Sequence, residues 1–254
     1  MLPHPRNSIR LSGVVVCQDN ADTIEQVVAN LARHCDEVVV VDGGSTDGTA
    51  ELAARHPRAR VFEHTFDGNI SRQKNFAFDR ARGSWILLVD TDELIGTRGA
   101  GRLRLLTYAP LVQWYSIPRI WLVHDEGRIR FLSRPPYFRD RQVRLFRNNA
   151  AHRYCEVGTP IHHSFVGDPG PGRPLRSPCL FHYQFVLMSR AERERKVARY
   201  LEVDPGSADL NTMYLYEDRP AEISDLTEPL PGVLVGPNGF DARGDSVEGI
   251  GGTI

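Results

Sequence analysis

The feature that most constrains this chain is an alternation of short apolar runs with segments of helical periodicity over its first third. Leu11 to Cys17 (LSGVVVC), Val38 to Val41, Arg60 to His64 and Trp85 to Val89 (WILLV) read as strands, three of them apolar enough to be buried on both faces. Between them, Ile24, Val27, Val28 and Leu31 fall at the i, i+3, i+4, i+7 spacing of an amphipathic helix. An Asp22/Glu25 capping box is expected to open that helix. Thr49 to Arg55 and Ser71 to Arg82 read as two more helices. Such βαβα order predicts an α/β fold with a mostly parallel sheet flanked by helices.

Ligands of such sheets bind beyond the carboxyl ends of the strands. Three predicted strands end in polar or acidic residues: Gln18-Asp19-Asn20, Asp42 and Asp90-Thr91-Asp92. These ends are expected to converge on one crevice. Asp90 and Asp92, two apart after a buried strand, point to one side and repel each other unless a cation intervenes. Mg²⁺ or Mn²⁺ bridging a diphosphate supplies that cation, whereas a polar strand end capping a helix is the plainer alternative. In Asp42-Gly43-Gly44-Ser45-Thr46-Asp47-Gly48, the glycines permit a tight turn and close approach to a ligand. Asp42 is expected to touch the ligand and Asp47 to cap the next helix. The run is not GxGxxG, which disfavours a dinucleotide site.

Composition narrows the class. The chain has 254 residues, 31 basic and 32 acidic side chains and a formal charge of −1. That balance argues against a nucleic-acid binder, which needs a basic surplus. No apolar run is long enough to span a membrane, and the first residues have no signal-peptide core. Cys17, Cys35, Cys155 and Cys179 form no CxxC pair, so reduced thiols and a cytoplasmic location are expected.

The stretch VVVVDGGSTDGT, followed by GNISRQKNFAFDRARGSWILLVDTDE, resembles the nucleotide-binding half of family 2 glycosyltransferases, which have the GT-A fold. Arg144-Leu145-Phe146-Arg147 and His182-Tyr183, with a helix bearing Lys196 and Tyr200, more loosely resemble the second half of bacterial lipopolysaccharide-core-type members. The resemblance implies a metal-dependent, inverting transfer of sugar from a nucleoside-diphosphate sugar, UDP-sugar favoured, to a hydroxyl acceptor. It implies a nucleobase contact for Asp42 beside Asn20, with Arg72 and Lys74 on base or phosphates. It gives Asp90 the ribose and Asp92 the Mn²⁺ or Mg²⁺, with His182 as a further metal or diphosphate ligand. An inverting enzyme needs a general base, for which Asp140 and Glu156 are the candidates. Cys17-Gln18-Asp19 and Gly43 depart from the family's usual residues. The expected layout is a nucleotide-sugar half (1–96), an acceptor-side half of the same domain (97–229) and a Gly/Pro-rich extended tail (230–254).

Other features admit plainer readings. Arg119, Arg128, Arg130, Arg134, Arg139, Arg141, Arg144 and Arg147 could hold an anionic acceptor or a membrane surface in peripheral association, or form a solvated face paired with acids, the reading we prefer. His152, Cys155, His162 and His163 fit no standard zinc spacing. A phosphatase of the haloacid dehalogenase type would use a strand-end DxD as its nucleophile and acid, but Glu93-Leu94 follows Asp92 here. A nucleotidyltransferase on a similar fold and an inactive sugar-nucleotide-binding protein are the remaining rivals.

Overall fold

The computed structural model describes residues 9–157, 165–203, 212–218, 222–232 and 234. The first half contains β1 (Leu11–Cys17), α1 (Ala21–Ala32), β2 (Glu37–Asp42), α2 (Thr49–Ala54), β3 (Ala59–Glu63), α3 (Ile70–Arg80) and β4 (Trp85–Leu88). Then follow β5 (Glu93–Ile95), α4 (Leu103–Leu106), β6 (Trp114–Asp125), β7 (Arg128–Leu132), β8 (Arg141–Arg147), β9 (Gly172–Pro174), β10 (Leu180–His182), α5 (Gln184–Leu187), α6 (Arg190–Val203) and β11 (Ile223–Ser224).

Strands β3, β2, β1 and β4 lie side by side and parallel. The sheet then continues through antiparallel β8, β6, β7 and β11. Every residue of β1, β2 and β4 is buried, which their unbroken apolar runs require once helices cover both faces. One core cluster joins α1, through Ile24, Val27, Val28 and Leu31, to β1, β2 and β4. Another sets Ala77 and Phe78 of α3 against Val14, Val39, Ile86 and Leu88 on the opposite face. Each such Val or Leu contributes about 1.5–3 kcal/mol of burial.

The turn before β4 explains Ala81-Arg82-Gly83. A Cβ on Gly83 would sit 2.7 Å from Ser12 Oγ and 2.8 Å from Ser12 N. Gly83 N–H donates to Ser12 Oγ, which donates to the buried Glu37, and Glu37 also accepts from Arg82 N–H and Arg60. Only glycine allows this approach of chain to strand.

Several expectations need correction. No Asp22/Glu25 capping box forms; α1 starts at Ala21 after Asn20, and Asp47 accepts the Ala21 N–H instead. Helix α3 begins one residue earlier than expected and ends at Arg80, its Asn69 cap accepting from Arg72 N–H. The Pro/Gly-rich stretch 167–178 contains β9. The tail was expected to be an extended arm, yet Tyr183 Oη donates to Gly232 O at 2.7 Å and Leu234 joins the main core. The rest of that tail lies largely outside the described residues, as do His162 and His163. A capping box opens α6, with Ser189 N–H donating to Glu192 at 2.7 Å and Glu192 N–H donating to Ser189 Oγ.

Candidate active site

Because β1, β2 and β4 are parallel neighbours, their carboxyl ends present Gln18-Asp19-Asn20, Asp42 and Asp90 along one edge, as the alternation predicted. The first two loops are stapled together. Asp19, at φ +52, accepts from Thr46 N–H, and its own N–H donates to Ser45 Oγ. Asp47 accepts from the N–H groups of Ala21 and Thr49, but the N-cap of α2 is Gly48, with no side-chain cap, so the expected cap by Asp47 does not form.

Asp42 is placed differently from the expectation. Its carboxylate is buried and accepts from Gly44 N–H at 3.0 Å, Ser45 N–H at 2.9 Å and Ser45 Oγ. It anchors the turn rather than pointing outward. A cavity of about 120 Å³ opens instead over Gly43, walled by Cys17, Gln18, Asn20, Phe66, Ile70 and Gln73. A Cβ on Gly43 would stand 3.2 Å from Cys17 O, Gln18 Cβ and Phe66 Cβ alike, which accounts for glycine at this departure from the family pattern. Asn20 lines the cavity and its Oδ1 takes the Gln18 N–H.

The acidic triplet at the end of β4 sits in a network of cations. Lys74 Nζ of α3 lies 2.9 Å from Asp90 Oδ1, and Arg144 Nη2 of β8 lies 2.5 Å from Asp90 Oδ2. Arg144 also reaches the fully buried Glu93 at 2.8 Å, and Arg119 stands 3.6 Å from the same carboxylate. Burial would raise the Asp90 pKa, but the Arg144 and Lys74 charges override it and hold the carboxyl well below the usual range. The same carboxylates offset burial and raise Arg144.

Asp92 has a lighter shell. Its Oδ2 faces His182 Nε2 at 3.2 Å, and its carbonyl accepts from Tyr183 N–H. Burial opposes its charge, yet His182 and, further off, Lys196 lower its pKa on balance. His182 is buried on β10 with the edge of its ring against Trp121 at 4.2 Å, and its Nδ1 has no partner among the described residues. Lys196 of α6 lies over the rings of Tyr214 and Tyr200, at 4.8 and 5.6 Å.

Both general-base candidates are held by cationic partners. Asp140 accepts from Arg119 Nε at 2.7 Å, Trp121 Nε1 at 3.0 Å and Gln142 Nε2 at 2.9 Å. Burial raises its pKa, but Arg119, Trp121 and Gln142 together lower it, the opposite of what a base needs. It orients Arg119. Glu156 lies not with the acceptor-side strands but against α3, accepting from Asn75 at 2.9 Å and Arg72 at 3.3 Å. Arg72 also pairs with Asp67, so two carboxylates occupy its guanidinium.

Sequence reasoning did not assign Arg144, Arg119 or Glu93 to the site. The available signal was an arginine inside the apolar run Val143-Arg144-Leu145-Phe146. A side chain of that kind is buried only with carboxylate partners. The rest of the arginine band is mostly paired. Arg128 and Arg130 meet Asp225, Arg134 meets Glu222, and Arg147 donates to the carbonyls of Ala109, Pro110 and Val112.

Among the described residues no three His, Cys, Asp or Glu side chains form a complete metal cage. Asp92 and His182 nevertheless supply one oxygen and one nitrogen facing each other. Mg²⁺-type sites commonly use one or two protein ligands and take the rest from phosphate and water. The pair therefore fits a divalent cation that arrives with a diphosphate.

An α/β sheet of this order, with a carboxylate pair at the end of β4, defines a GT-A-type domain. Residues 12–97 match the model described as "Glycosyl transferase family 2", and this segment belongs to that family. The chain is 28% identical over 185 residues to the lipopolysaccharide core biosynthesis glycosyltransferase LpsC of Rhizobium meliloti, covering 70% of this chain and 64% of that protein. It is 33% identical over 84 residues to an uncharacterized glycosyltransferase of Rickettsia bellii, covering 33% of this chain and 28% of that one. The chain thus spans less than two thirds of the length of either relative. Among solved structures, that of S. aureus TarS 1-349 superposes with a TM-score of 0.50 at 14% identity, over 82% of this chain and 70% of that one, a likeness of fold. No helix among the described residues is long and apolar enough to cross a membrane.

Proposed function

We propose that the protein is a metal-dependent, inverting glycosyltransferase that moves a sugar from a nucleoside-diphosphate sugar, a UDP-sugar before others, to a hydroxyl acceptor. The observation that carries this reading is the division of labour in the triplet after β4. Asp90 is locked between Lys74 and Arg144, while Asp92 faces only His182 among its close partners. Asp92 and His182 would hold Mn²⁺ or Mg²⁺. Such a cation stabilises the negative charge that develops on a departing nucleoside diphosphate. The cavity over Gly43 is the seat for the base, bordered by Asn20, with Asp42 acting through the turn it holds. Asp90 keeps a third of its side chain exposed toward the crevice, enough to accept from a ribose hydroxyl while Lys74 and Arg144 fix its direction. A lipopolysaccharide-core acceptor, as LpsC's name indicates for that relative, is the acceptor class to try first.

The phosphatase reading is weaker on the same geometry. An aspartyl nucleophile needs a free oxygen, and both oxygens of Asp90 are bonded to cations. A thermal-shift panel of UDP, GDP, dTDP and CDP with Mn²⁺ tests the proposal. At a concentration one hundred times Kd the matching nucleotide stabilises the fold by about 2.7 kcal/mol. No stabilisation by any of the four, or stabilisation unchanged in Asp92→Ala, overturns it.

A further inference from the structure

The arginine-rich band over residues 119–147 is largely consumed by ion pairs, but a second basic surface is not. Between Glu93 and Asp125 the sequence contains Arg98, Arg102, Arg104 and Arg119 and no acidic residue. Arg98 and Arg102 are exposed and make no ion pair among the described residues. The same segment holds three of the largest exposed apolar side chains, Leu105, Tyr108 and Leu111, at 68, 57 and 78% exposure. Leu105 lies on α4, and Tyr108 in the turn that follows it donates its N–H to Leu105 O at 3.1 Å. The Arg10 guanidinium stacks on the Tyr108 ring at 3.7 Å.

Beside this apolar edge lies a recess of about 350 Å³, lined by Arg33, His34, Arg58, Arg104 and a single acid, Asp36. That acid is already engaged, by Arg104 and by the backbone N–H groups of Arg10 and Leu11. Asp36 N–H donates to Leu11 O, which places the recess at the amino ends of β1 and β2, away from the donor crevice at their carboxyl ends.

We propose that this surface docks the protein on an anionic phospholipid bilayer, with Leu105, Tyr108 and Leu111 entering the headgroup layer and the recess receiving a lipid phosphate. Exposed apolar side chains in one segment with Arg98 and Arg102, which make no ion pair among the described residues, combine the two signals that stable peripheral binding requires. A protein partner would match an apolar patch, but it would not call for a segment, 94–124, that carries arginines and no acid. The inference is independent of the reading of the donor crevice, which this orientation leaves facing solution.

Co-sedimentation of the full chain with vesicles of phosphatidylcholine, or of phosphatidylcholine mixed with phosphatidylglycerol, tests it. Binding to the anionic vesicles alone, released by salt, is expected. Arg98→Gln with Arg102→Gln should weaken that binding about fivefold per arginine. Leu105→Gln with Leu111→Gln should weaken it by about tenfold or more while Tm stays unchanged. Arg128→Gln with Arg134→Gln, in the paired band, should leave it intact. Failure to bind either vesicle, or an equal loss in the paired-band variant, overturns the proposal. So does a leucine variant that alters self-association in sedimentation velocity but not vesicle binding, since the occupant would then be a second copy.

Discussion

Replacing Arg144 with Gln would remove the cation that joins the two buried carboxylates of the site. Arg144 is 5% exposed and lies 2.5 Å from Asp90 and 2.8 Å from Glu93, which is itself fully buried. After the substitution Glu93 keeps only Arg119 at 3.6 Å and the Asp90 N–H at 3.1 Å. Removing one member of a buried pair costs about 3–5 kcal/mol, because the remaining charge stays desolvated without its partner. For a chain of this length each kcal/mol lowers Tm by about 2–4 °C, so a fall of roughly 10 °C is expected by calorimetry. Glu93→Gln should also destabilise, by leaving Arg144 with Asp90 alone. The double variant should be better than the sum of the singles by about 1–3 kcal/mol, as expected for residues in one network. Additivity within about 0.5 kcal/mol, or an Arg144→Gln variant as stable as the parent, would refute the claim that this triad organises the strand ends.

Further outcomes follow from individual contacts. Asp92→Asn and His182→Ala should each abolish the Mn²⁺-dependent part of nucleotide stabilisation while leaving the apo Tm within a few degrees, read by thermal shift. Asp140→Asn should reduce turnover through loss of Arg119 alignment, with a pH–rate profile of unchanged shape; loss of the acid limb, the limb a general base sets, would show instead that Asp140 is the base. Burial raises the Asp36 pKa, but the Leu11 and Arg10 N–H groups and Arg104 outweigh it and lower the pKa on balance. Its stabilising contribution is therefore present above the unfolded carboxylate value near 3.9 and lost as pH falls below it. Asp36→Asn should flatten the acid limb of the stability curve in chemical denaturation. Asn69→Ala should cost about 1 kcal/mol by uncapping α3, measured in the same way.

The first half was legible because β1, β2 and β4 are buried on both faces, so each run such as Val38–Val41 announces itself without a partner. The acidic strand ends then fix the crevice through topology alone. Side-chain roles were less legible. Asp42 looks like a ligand contact in one dimension, but the turn it starts curls back and hands its carboxylate the Gly44 and Ser45 N–H groups. Asp140 and Glu156 were chosen by position along the chain. Their partners Arg119 and Arg72 come from 21 and 84 residues away, a pairing no local pattern encodes. Strands β5, β7, β9, β10 and β11 have two to five residues each, too short for any period to show.

The charges of the crevice also favour the metal-dependent reading proposed above. Asp90, Asp92, Glu93 and Asp140 are matched by Lys74, Arg119, Arg144 and Lys196, and most of these cations are already spent on the carboxylates. A diphosphate would add at least two negative charges to a region with no surplus of positive charge. Its entry would either break the Lys74 and Arg144 contacts, freeing cations but stranding Asp90 and Glu93, or bring a divalent ion that leaves the network intact. The second course costs less, since a stranded buried carboxylate forfeits several kcal/mol. Asp92 is where such an ion can bind without displacing a protein cation, because its close partner is an imidazole that can give up its contact and become a ligand itself. The metal requirement in this reading comes from the tight pairing of Asp90 as much as from the carboxylate of Asp92.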